Sequence, residues 1–212
     1  MQKILLLFPL LFMMSCTAKK VITQTARTTN FSQKEKRMIM NEDGGTPMRI
    51  YLITHYSDSI LLRKKSAAVV ANPNDEVQKR FIQRLYSTVR DSMSMGVGIA
   101  APQVGILKNI IWVQRFDKDK FPFEVYLNPK IIQYTKKKQP CPEGCLSIPG
   151  RRATTLDRAY AILLEYDAPD GSHHTEMVED FTAVIFQHEI DHLNGILFLD
   201  HLLQEVEEDK GK

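Results

Sequence analysis

The chain has 212 residues, 43% hydrophobic and 25% charged, with a net charge of +3. That balance suits a soluble globular protein with one sizeable core and argues against a disordered chain or a nucleic-acid binder, since Lys136-Lys137-Lys138 has no aromatics interleaved with it. Three cysteines, Cys16, Cys141 and Cys145, are too few for a disulfide framework, and no internal repeat is visible.

Met1 to Ser15 carries a charge at Lys3 and then an apolar run from Ile4 to Met14. That run is too short to span a hydrocarbon layer of about 30 Å, but it suits the apolar centre of a signal peptide. It ends at Ser15-Cys16, so residues 1–16 resemble a bacterial lipoprotein signal with Cys16 as the lipidation site. The alternative is an uncleaved signal or a buried apolar terminus. Residues 17–47 are rich in Thr, Lys, Gln, Asn and Gly and read as a flexible tether.

The pattern changes at Met48. Arg49 to Thr54 is a short apolar-rich segment, followed by Ile60-Leu61-Leu62-Arg63-Lys64-Lys65. From Asp75 to Met95, Val77, Phe81, Ile82, Leu85 and Val89 recur at three- and four-residue steps, which predicts an amphipathic helix with Asn74 or Asp75 as N-cap. Gly96-Val97-Gly98-Ile99-Ala100-Ala101-Pro102-Gln103 lacks the third glycine of a dinucleotide fingerprint and follows a helix instead of a strand, so the nucleotide reading fails. It is a loop of small residues that lets backbone approach a ligand closely.

Ile110 to Phe116 and Phe123 to Tyr134 read as strands, the second interrupted by Asn128-Pro129 at an edge or a bulge. Cys141-Pro142-Glu143-Gly144-Cys145-Leu146-Ser147 is either a local C-x3-C disulfide or, given Gly144, a tight loop presenting one thiolate. Ala159 to Tyr166 and His174 to Val178 are strands joined by the turn Ala168-Pro169-Asp170-Gly171, beside which His173 and His174 sit exposed. Residues 206–212 read as a short acidic tail.

Gln187-His188-Glu189-Ile190-Asp191-His192 is H-E-x-x-H. At roughly 3.6 residues per turn, His188 and His192 leave one face of a helix about a turn apart, with Glu189 beside them as a proton carrier. The apolar run Phe181 to Phe186 predicts that this helix is buried, where its charges are costly unless paired or bound to metal. A core helix with internally bonded histidines is the alternative. A third ligand is needed. The His that follows the glycine in metzincins is replaced here by Phe198, and the downstream glutamates Glu205, Glu207 and Glu208 are poorly placed. Cys145 is the best remaining candidate.

Together, Gly96–Gln103, Glu143-Gly144-Cys145-Leu146-Ser147 and Gln187–His192 resemble the three signature motifs of the peptide deformylase family, in order. Leu61-Arg63-Lys64 and Leu127-Asn128-Pro129 also look like that family, and the resemblance covers about Met48 to Leu203. It implies an α+β fold, with small mixed or antiparallel sheets packed around a central metal-binding helix, in a catalytic domain at 48–205. It also implies removal of the formyl group from N-terminal formylmethionine by metal-activated water, with Glu189 as general base and acid. By resemblance, Cys145, His188 and His192 hold one divalent ion, Fe²⁺ foremost and Zn²⁺ or Ni²⁺ as alternatives. Gln103 and the Leu146 N–H would stabilise the oxyanion, and Val97 and Gly98 would bind substrate backbone. Glu143, Asp191 and Arg152 would support these groups from behind. The expected partners are N-formylmethionyl peptides and, through Cys16, a membrane surface, with no nucleic acid and a monomeric chain. The expected location is exported and lipid-anchored, or cytoplasmic if translation starts at Met48. A metallopeptidase and a lipoprotein that only binds peptide or metal are the other readings.

Overall fold

The computed structural model describes residues 30–91 and 96–211. The leader, Cys16 and residues 17–29 lie outside the described residues. Among those described, no helix is long and apolar enough to cross a membrane.

The helices are α1 (Gln33–Met40), α2 (Tyr56–Leu62), α3 (Glu76–Val89), α4 (Asp180–Leu193) and α5 (Phe198–Lys210). Strands β1 (Gly98–Ala100), β2 (Ile110–Gln114), β3 (Phe123–Tyr134), β6 (Ala161–Asp167) and β7 (His173–Glu179) form one antiparallel sheet in the order β1-β2-β3-β6-β7. Strands β4 (Lys138–Cys145) and β5 (Ile148–Ala159) make a separate hairpin. The α+β expectation with a central helix therefore holds.

Alternation along β2 explains the layering. Ile110 packs with Phe81, Leu85 and Val89 of α3, whereas Ile111 and Val113 face Ala183, Ile185, Phe186 and Ile190 of α4. The sheet is thus covered on both faces, which makes α4 a buried helix. Asp75 caps α3, its carboxylate accepting from the Val77 and Gln78 N–H groups. Asn128 interrupts β3 as a bulge with φ 50°, and the edge option is excluded because β3 lies between β2 and β6. Gly195 ends α4 with φ 74°, and a Cβ there would meet the Arg63 carbonyl oxygen at 2.4 Å.

Two expectations are corrected, and one open alternative is closed. Residues 30–47 are not a tether: α1 carries a Ser32–Glu35 capping box, and Phe31 and Ile39 are 1% and 0% exposed in the core. Of the segment read as an acidic tail, residues 206–210 are not separate, because α5 runs to Lys210 and Glu205 accepts from the Leu156 and Asp157 N–H groups of β5. The Cys141–Cys145 disulfide is excluded, since both thiols are free and lie four residues apart along one strand, about 13 Å by strand geometry.

Candidate active site

Period-two alternation on β4 puts Cys141, Glu143 and Cys145 on one face, turned toward α4. The two-residue turn Leu146-Ser147 then reverses the chain into β5. Gln187 of α4 fixes the far end of that hairpin, accepting from the Ala159 N–H at 2.9 Å and donating to its carbonyl at 3.0 Å. The hairpin is thereby locked against the helix that carries the histidines.

Between them, ligand atoms of Cys145, His188 and His192 lie within 4.8 Å of one another. Cys145 Sγ is 3.2 Å from His192 Nε2. His188 Nδ1 meets Glu143 Oε2 at 2.7 Å, which leaves its Nε2 to face the cluster. His192 is 1% exposed, and burial holds its ring well below the ordinary histidine range, in the neutral form that ligates. One soft thiol and two imidazoles around a common point make a donor set that fits a divalent transition ion.

Glu189 leaves α4 toward β1. It is 4% exposed, and its Oε2 has no hydrogen-bond partner among the described residues. Burial, with Glu143 and Asp191 adding to it, pushes its carboxyl up to about 7 while His188 opposes; a bound cation would act in the same sense as His188. The carboxylate occupies the space above Gly98, where a Cβ would lie 2.4 Å from Glu189 Oε1 and 2.8 Å from Ile185 Cγ2. We expect Gly98→Ala to displace Glu189 and lower kcat about 10²-fold with metal content unchanged, as measured by steady-state kinetics beside metal analysis.

Gln103 sits in a 3₁₀ turn, Ala101–Val104, directly after β1. Its Oε1 accepts from the Ala100 N–H at 2.9 Å, so its NH₂ points at Cys145 Sγ, 3.6 Å away, and Ser147 Oγ, 3.4 Å away. Gln103, Cys145, His188 and Glu189 line a cavity of about 720 Å³ together with Val97, Gly98, Leu146 and Phe181.

Behind His188 runs a buried charge network. Glu143 accepts from Arg158 Nε at 2.8 Å and from a terminal guanidinium N–H at 3.0 Å, and also from the Thr155 hydroxyl. Arg158 reaches Asp191 at 2.6 Å, and Asp191 meets His201 Nε2 at 2.8 Å. Burial alone would raise Glu143, but hydrogen bonds from His188 and Arg158 hold it well below the usual carboxylate range. Glu143 bonds His188 and Arg158, and Asp191 bonds Arg158, whereas Arg152 is exposed at the cavity mouth beside Arg151. Arg158 takes the place expected of Arg152: it pairs with Gln139, and past the irregularity between the Gln139 and Cys141 pairs its long side chain reaches along β4 to Glu143, whereas Arg152 lies opposite Gly144. Nothing in the local sequence marks Arg158 or His201.

His201 also meets Asp157 at 3.0 Å, and its two carboxylate partners raise it to about 9. A base raised above its unfolded value near 6.5 stabilises the fold fully below that pH, and the contribution is lost as pH rises through about 9. Thermal melts of wild type and His201→Gln should therefore differ most below pH 6.5 and converge above about 9.

Comparison with known proteins gives the family. Residues 50–208 match the polypeptide deformylase family. The peptide deformylase of Desulforudis audaxviator is 39% identical over 155 residues, 72% of this chain and 94% of that protein. The chain belongs to the peptide deformylase family. It is accordingly an amide hydrolase that removes formyl groups from N-terminal formylmethionine. Solved deformylases share the fold. That of Acinetobacter baumannii with Met-Ala-Ser bound is 30% identical, covering 74% of this chain and 99% of that one with a TM-score of 0.65. The deformylase of Thermotoga maritima is 32% identical, covering 73% and 96% with a TM-score of 0.63.

Proposed function

We propose that Cys145, His188 and His192 hold a divalent ion and that Glu189 carries the proton through the deformylation of N-formylmethionyl peptides. The observation that supports this most is the buried, partnerless Glu189 oxygen beside the three converging ligand atoms. The ion would supply Lewis acidity that makes a nucleophile of water at neutral pH. Fe²⁺ is the proposed metal, and the same donors accept Zn²⁺ or Ni²⁺.

Glu189 takes a proton from the attacking water as its oxygen adds to the formyl carbon. The Gln103 NH₂ and the Leu146 N–H donate to the oxygen that gains charge; losing one such donor typically raises the barrier by about 2.7–4 kcal/mol. Glu189 then delivers the proton to the amine as the C–N bond breaks, giving formate and a free N-terminus. Val97 and Gly98 offer backbone groups to the extended peptide.

The cavity mouth adds a preference. Arg151 and Arg152 are exposed there, so peptides with an acidic residue downstream of methionine should have the lower KM, by a margin that shrinks with added salt. Equal KM values for acidic and neutral peptides at low ionic strength would remove this preference.

We further propose that the protein acts as a monomer. Export through Cys16 has no support from the family match, which begins at residue 50. A family that acts on nascent chains fits a cytoplasmic site better, and fractionation of cells producing the full chain separates the two locations.

A further inference from the structure

Residues 30–47 precede the matched family segment, yet they are fastened to α3 throughout. Arg84 of α3 is 4% exposed and has no carboxylate partner among the described residues. Its guanidinium donates instead to five acceptors, all in this segment. These are the Met38 and Ile39 carbonyls (2.8 and 3.1 Å), Asn41 Oδ1 (2.7 Å), and the Thr46 and Pro47 carbonyls (3.0 and 3.4 Å). A cation on the last carbonyls of α1 also complements that helix end. Around it, Ser87 Oγ donates to the Gly44 carbonyl at 2.8 Å, and the Met48 N–H donates to Thr88 Oγ1 at 2.8 Å. At the other end, Phe31 meets Phe81 edge-on with ring centres 5.8 Å apart.

The far side of the same helix end touches the active site. A Cβ on Gly96 would lie 3.1 Å from Val89 Cγ2 and 3.3 Å from Leu146 Cδ1, so Val89 and Leu146 close on Gly96 from two sides. Phe31 and Ile39 belong to one apolar cluster with Val89, Ile99, Ala101 and Val104, against which Leu146 packs. Cores transmit displacement because they are close-packed. We infer that residues 30–47 form a strap completing the catalytic domain, with Arg84 as a positioning residue that holds α3 and, through it, the substrate segment from Gly96 to Gly98. A chain begun at Met48 lacks the strap and opens Phe81, Leu85 and Arg84 to water.

This rests on the deformylase reading above. The test uses the full chain, loaded anaerobically with Fe²⁺, as wild type, Arg84→Met and Arg84→Lys, beside a chain starting at Met48. Amide hydrogen exchange is followed at 33–40 and 96–100, with kcat and KM for formyl-Met-Ala-Ser. Arg84→Met should speed exchange in both segments and lower kcat/KM about tenfold, mainly through KM, with partial recovery in Arg84→Lys. The Met48 chain should show the same changes at 96–100, and a peptide spanning residues 28–49 should reverse them. Faster exchange confined to the strap, with kcat and KM unchanged, would overturn the positioning role. Wild-type exchange and turnover in the Met48 chain would overturn the whole inference. Absence of formate release in every form would count against the catalytic reading, while exchange at 96–100 still decides the strap.

Discussion

Glu189→Gln is expected to lower kcat for formyl-Met-Ala-Ser by roughly 10²–10⁴-fold, the usual share of a positioned acid–base group. Glutamine keeps the shape of the side chain over Gly98 but can neither take nor return a proton. Because Glu189 is 4% exposed and its Oε2 has no partner, its charge contributes little to the fold, and Tm should hold or rise. Metal content should stay the same, since the side chain is not among the three converging ligands. A coupled formate assay with metal analysis checks all of this. A kcat within a few-fold of wild type would show that another group moves the proton.

The second large effect is on stability and metal retention together. Arg158 is 2% exposed and is shared by Glu143, which bonds His188, and Asp191, which lies on the histidine helix itself. Arg158→Met leaves Glu143, itself 5% exposed, with His188 and Thr155 as its remaining partners. Breaking a buried pair from one side costs about 3–5 kcal/mol. Loosening the carboxylate that orients a ligating histidine costs about 10–100-fold in metal affinity. Arg152→Met should do neither, because that side chain is exposed at the mouth. Denaturant melts of metal-loaded protein and a chelator competition compare the two variants. Equal effects would contradict the assignment of the network to Arg158.

The helices and strands with strong periodicity were legible. Val77 to Val89 has the step of a core helix, and Phe123–Tyr134 has the composition of a strand. His188 and His192 stood out through their spacing, and Cys145 through the Gly144 before it and the lack of another third ligand. The β4–β5 hairpin was not legible as strands, because Pro140, Pro142 and Gly144 interrupt it and its pairing depends on contacts made across the turn. That is also why Arg158 was missed: it pairs with Gln139 beyond an irregularity in the hairpin and reaches Glu143 only through its side chain, which a single strand's sequence does not reveal. The strap was misread for a different reason. Its composition is polar, and its order comes from two buried residues, Phe31 and Ile39, and from a distant arginine. In α5 the run of Glu and Asp masked Phe198, Leu199 and Leu202, which seat the helix beside Ile148.

The most direct test of the central claim is formate release from formyl-Met-Ala-Ser by the full-length chain loaded with Fe²⁺ under anaerobic conditions. The account predicts one formate and one free Met-Ala-Ser per peptide consumed, abolished by chelation and restored by adding Fe²⁺ back. Cleavage of the Met–Ala bond with the formyl group retained, or no formate despite a bound metal, would contradict it.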